Sequence, residues 1–98
     1  MPRITDSGRS PMPSLASEHA GEAADTLRAA AEVSDPYKRA DAIWEAVERV
    51  RCAADRLRGQ QAAACEDIAR YLEEGCEGRD EVPGREALRG YARTLDAI

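Results

Sequence analysis

DPYKRADAIWEAVERVRCAADRLRGQQAAACEDIARYLEE, residues 35–74, is the stretch whose reading decides the fold. Asp35 is a good N-cap, and Pro36 suits the first helical position, where its missing N–H has no intrahelical partner to lose. From there a seven-residue repeat runs for five heptads. The a positions are Ala40, Val47, Ala54, Gln61 and Ile68, and the d positions are Ile43, Val50, Leu57, Ala64 and Tyr71. Trp44 and Leu72 sit at e and widen the stripe, while Gly59 falls at the outermost position, f. Glu45–Arg49 and Glu66–Arg70 are acid-first pairs at i, i+4, which support a helix. The pattern predicts one coiled-coil-like helix over 36–74. A second reading breaks it at Gly59-Gln60-Gln61 and gives a four-helix bundle. Glycine costs about 1 kcal/mol in a helix interior, which so many good helix formers can absorb, so the unbroken helix is the expectation.

Working outward, Ser14 is a plausible N-cap for a helix over 14–33, with an apolar stripe of Ala16, Ala20, Ala23/Ala24, Leu27 and Ala30/Ala31. The preceding segment, with Pro2, Pro11 and Pro13 and little apolar periodicity, is expected to be a disordered tail over 1–13. On the other side Gly75 reads as a helix stop, and residues 75–84 as a loop. A last helix over 84–97 carries Leu88, Tyr91/Ala92, Leu95 and Ile98 on one face. No segment alternates like a strand. The fold expected is all-α: a long central amphipathic helix with two shorter antiparallel helices, forming one helical domain over 14–98.

The payload for such a bundle is thin. Residues 14–98 hold only 17 Leu, Ile, Val, Trp and Tyr, no Phe occurs, and alanine appears 19 times. Small domains with so little to bury often recruit a disulfide, a metal or a second subunit. The net charge of −5 handicaps nonspecific contact with a phosphate backbone. Thirteen arginines against one lysine fit a high-GC genome such as an actinobacterium's. Cys52, Cys65 and Cys76 are odd in number and widely spaced, which points to free thiols in a reducing compartment. No apolar run approaches a membrane span, and a cytoplasmic location is expected.

Chemistry-bearing motifs are scarce. The single His19 flanks the first stripe, and with the cysteines it lacks the short ligand spacing of a zinc site. No phosphate-binding, nucleophile-elbow or metalloprotease pattern occurs. Neither catalysis nor a cofactor is expected. Arg49, Arg51, Arg56 and Arg58 lie beside the apolar strip. They could meet phosphates, or Glu18, Glu22 and Glu32 of the neighbouring helix. Arg85, Arg89 and Arg93 form an i, i+4, i+8 row whose acidic counterpart is expected at Asp67 and Glu74.

Through Asp35-Pro36, Arg39-Ala40, Arg56-Leu57-Arg58 and Gly75, residues 35–75 resemble the Arg/Ala-rich helical segment that precedes the helix-turn-helix of small actinobacterial DNA-binding proteins. In that family two helices joined by a tight turn follow the glycine. Here an acidic loop and a single helix follow, so the resemblance supplies no reading helix and no functional residue.

The function expected is a non-enzymatic helical protein-interaction or homo-oligomerisation module. Its interface would be Trp44, Val47, Val50, Leu57, Gln61, Ile68 and Leu72, with Trp44 of one copy approaching Leu72 of another in an antiparallel homodimer. The partner could equally be another helical protein. The alternative is a small DNA-associated regulator that meets phosphates through Arg49, Arg51, Arg56 and Arg58.

Overall fold

A computed structural model describes residues 11–78 and 82–98 of the chain. They form four helices, α1 (Pro11–Ala31), α2 (Pro36–Asp55), α3 (Gly59–Gly78) and α4 (Arg85–Asp96). The all-α expectation holds, with no strand among the described residues. The unbroken helix over 36–74 does not, and the four-helix alternative is the one observed.

The start of α2 follows from the Asp35-Pro36 signal. Asp35 is extended, and its carboxylate accepts the Tyr37 backbone N–H at 2.9 Å. The end of α2 tightens, as the N–H groups of Arg56 and Leu57 donate to the carbonyls of Ala53 and Ala54 at 3.0 and 3.2 Å. Gly59 then takes a φ of 65°, in the left-handed region that glycine enters without a Cβ penalty. So the residue assigned to the outer face of a continuous helix is the residue that turns the chain. Folding back lets α3 bury Cys65, Ile68, Ala69, Leu72 and Cys76, most of which a single extended helix would leave uncovered.

Other boundaries differ from expectation, the smaller shifts being the end of α1 at Ala31 and the span of α4. α1 begins at Pro11 rather than at Ser14, because prolines in a first turn forfeit N–H groups that have no intrahelical acceptor. Of the tail expected over 1–13, residues 1–10 lie outside the described residues. Gly75 does not stop α3, which runs on to Gly78. The extra turn is held by Cys76, buried against α2 with its Sγ 3.8 Å from the Ala40 carbonyl oxygen.

α1 packs on both α2 and α4, and α2 packs on α3. One contiguous core draws on all four helices, and alanine is its commonest residue. The whole α1 stripe, from Ala16 through Ala20, Ala23, Ala24, Leu27 and Ala30 to Ala31, is buried as the spacing requires. Small side chains let the helix backbones approach closely, so Leu27, Ile43, Val50, Leu72, Leu88 and Leu95 supply most of the bulk. At the end of the bundle where α1 meets α2, Arg39 binds two connections together. Its Nε donates to the Pro83 carbonyl at 3.0 Å, and one terminal nitrogen donates to the Val33 and Ser34 carbonyls at 2.9 and 3.4 Å.

Candidate functional site

The seven residues expected at an interface are divided by the fold. Val47, Val50, Ile68 and Leu72 are buried within the chain's own core, because the hairpin turns them toward neighbouring helices. Leu57 is half-buried at the α2–α3 turn, and Gln61 is exposed beside it. Trp44 alone among the large apolar members stays outside, 38% exposed.

Trp44 belongs to a groove. Pro36, Tyr37, Ala40, Asp41 and Trp44 of α2 form one wall, and Cys76 and Val82 the other, around a volume of about 180 Å³. The spacing 37, 40/41, 44 places these α2 residues on one strip by helical periodicity. Tyr37 is 65% exposed, so the groove holds two of the three large apolar side chains that the described structure leaves outside. The third, Tyr71 on α3, has the Arg70 guanidinium 5.4 Å above its ring, and Asp67 holds that guanidinium at 3.0 Å.

The four arginines considered for phosphate contact also divide. Arg49 is engaged by Glu22 of α1 at 2.7 Å, one of the acids expected for it, and Arg51 by Glu73 of α3. Arg56 donates to the Cys52 carbonyl at 3.0 Å. Arg56 and Arg58 line an open depression of about 640 Å³ at the α2–α3 corner, with Asp55, Leu57, Gln61, Ala16, Ser17 and Ile98.

The arginine row on α4 finds a different counterpart from the one expected. Arg85 and Arg89 both bind Glu32 at the end of α1, at 2.7 and 2.8 Å, rather than Asp67 or Glu74. The reason is topological, since α4 lies along α1 and not along α3. The Arg85 hydrogen bond and charge, with help from Arg89, hold the Glu32 carboxyl below its ordinary value. A depressed carboxylate pKa contributes stability above the unfolded value, and that contribution is lost as pH falls through the folded one. Glu32→Gln should therefore lower the melting temperature at about pH 7 and make no difference near pH 3. Because Glu32 is exposed, the pH 7 effect will be small. Thermal melts of both proteins across that range check it.

Burial pushes the Cys65 and Cys76 thiols up, with Glu66 and Asp41 adding to the respective shifts. Both are thereby kept protonated and unreactive. His19 is partly exposed, and its Nδ1 is buried without a hydrogen-bond partner. Among the described residues no group of three or more His, Cys, Asp or Glu is placed to hold a metal, and no helix is long and apolar enough to cross a membrane.

No protein-family model matches the chain, and neither a curated protein nor a solved structure does.

Proposed function

We propose that the chain is a non-enzymatic helical interaction module that docks another protein chain through the Tyr37–Trp44 groove. The observation that supports this is the placement of the aromatics. A protein short of bulky apolar residues builds its core largely from alanine, yet leaves its only tryptophan and a tyrosine at the rim of one groove. Aromatic side chains offer the largest burial per residue, and Trp and Tyr dominate the energetics of protein interfaces. Leaving them outside costs the monomer stability that a bound partner returns.

A photoreactive phenylalanine analogue at position 44, expressed in the source cell, tests the reading. A discrete protein adduct is expected on irradiation, and none from the same analogue at exposed Glu86 of α4. Equal labelling at both positions, or none at 44, would overturn it.

A second reading, contact with nucleic-acid phosphates, draws on Arg56 and Arg58 at the open corner, neither of which enters an ion pair among the described residues. It is the weaker one, because Arg49 and Arg51 are committed to carboxylates.

A further inference from the structure

We infer that the occupant of the Tyr37–Trp44 groove is a basic amphipathic helix of another protein. Its apolar side chains would lie against Trp44, Tyr37 and Val82, and its Lys and Arg side chains would reach the surrounding carboxylates. The inference rests on the reading of the groove as a docking site and adds the chemistry of the partner. Asp41 lines the groove between the two aromatics. Glu45 and Glu48 follow it along α2 at i+4 and i+7, and Glu77 is the neighbour of groove residue Cys76 on α3. All four are exposed, and none enters an ion pair among the described residues. The nearby cations are largely spoken for: Arg49 is bound to Glu22, Arg51 to Glu73 and Arg70 to Asp67. Lys38, one turn before Asp41, and Arg39, which donates only to backbone carbonyls, are the cations on this part of α2 that meet no carboxylate among the described residues.

A groove rimmed by two aromatics, lined by Asp41 and followed along α2 by Glu45 and Glu48 has two preferences. It attracts cations electrostatically, and its aromatic faces add cation–π contact for an Arg or Lys laid over them. It also disfavours a second copy of this chain. A two-fold contact through the groove would set Asp41, Glu45, Glu48 and Glu77 against the same residues of the other copy, where like charges repel. The spacing of Tyr37, Ala40 and Trp44 carries the groove's α2 wall over about two helical turns and matches anchors at i, i+3/i+4 and i+7 on a docked helix.

The probes are two dye-labelled peptides of about 20 residues with the same leucine anchors at i, i+3, i+4 and i+7, one carrying Lys and Arg elsewhere and the other Glu. Fluorescence anisotropy with the intact protein should show the basic peptide binding at least about tenfold tighter than the acidic one, and weakening about tenfold between roughly 50 and 500 mM salt. Trp44 emission should shift to the blue as the basic peptide saturates. Asp41→Lys with Glu48→Lys should reverse the preference, whereas Glu18→Lys with Glu86→Lys, an equal change of net charge away from the groove, should leave at least about tenfold of it. If the groove variant does not fold, by circular dichroism, Trp44→Ser serves instead and should weaken the basic peptide about tenfold. Equal affinity for the two peptides, preference for the acidic one, or no response of Trp44 to either would overturn the inference. So would a dimer, seen by sedimentation equilibrium, that buries Trp44. An adduct at position 44 in cells together with failure of both peptides would remove the basic partner and leave the docking role standing.

Discussion

Leu72→Ala should destabilise the protein by about 2–5 kcal/mol, the range for deleting a buried leucine side chain. Leu72 is fully buried, and it is one of few bulky residues in a core made mostly of alanine. Alanine neighbours cannot reach across the space a leucine vacates, which places the loss toward the upper part of that range. A small domain holds about 5–15 kcal/mol in all, so the variant should lose a large share of it. Urea denaturation followed by far-ultraviolet circular dichroism gives the number. Leu57→Ala is the comparison, because Leu57 is half-buried at the turn and should cost less than half as much. Equal losses would mean that α3 does not pack as described.

Gly59→Ala should change the shape of the molecule more than its overall stability. An added Cβ meets nothing within 4 Å, so no clash arises. The cost is conformational, about 1–2 kcal/mol for an L-residue held at a left-handed φ. The same substitution removes about 1 kcal/mol of helix-interior penalty from a straightened α2–α3. Together these shift the balance between hairpin and continuous helix by about 2 kcal/mol, roughly 30-fold, toward the straight form. A straightened chain exposes the core face of α3, and two such chains can cover each other by exchanging it. Sedimentation equilibrium should therefore find more dimer in Gly59→Ala than in the parent at matched concentration. An unchanged monomer of unchanged stability would show that the turn does not depend on the glycine.

The turn was partly readable in the residues. Periodicity establishes that α2 and α3 are amphipathic, but a hairpin and a straight helix present the same repeat, since either must bury one face. Gln61 carried the discriminating signal. A polar residue at an a position, two after Gly59 and preceded by Arg56, Arg58 and Gln60, marks exposure, and Gln61 is exposed. The buried face also changes phase at that point. α2 buries Ile43, Val47, Val50 and Ala54 at a and d, whereas α3 buries Cys65, Ile68, Ala69, Leu72 and Cys76, and leaves Tyr71 at d half outside. The spacing 65, 68/69, 72, 76 is present in the chain, but Ala64 and Tyr71 also satisfy the α2 register if it is continued. Local signals fared better, because capping depends on neighbours alone. Asp35 and Pro36 start α2 where their chemistry requires.

The candidate site was less legible than the fold. Trp44 could be singled out by type, yet its groove depends on Val82, which lies beyond the end of α3, and on Cys76, which lies past Gly75, the residue expected to end it. Both reach the α2 surface only through tertiary packing. Pairing of the arginines depends likewise on which helices become neighbours. Glu32 meets α4 because α4 lies on α1, an adjacency that no local pattern encodes.

Arg39 gives the groove a property that its lining residues alone would not. Its guanidinium joins the α1–α2 connection to Pro83, the residue after Val82. The wall carrying Val82 is thus anchored in the free protein, through a planar fork of donors that lysine could not reproduce. Under the proposed docking role, association would require little ordering of this wall, so less of the contact energy would be spent on entropy and the encounter would be limited by orientation rather than by loop closure. In that role the protein would be a preformed socket, and any disorder-to-order transition would belong to the incoming helix.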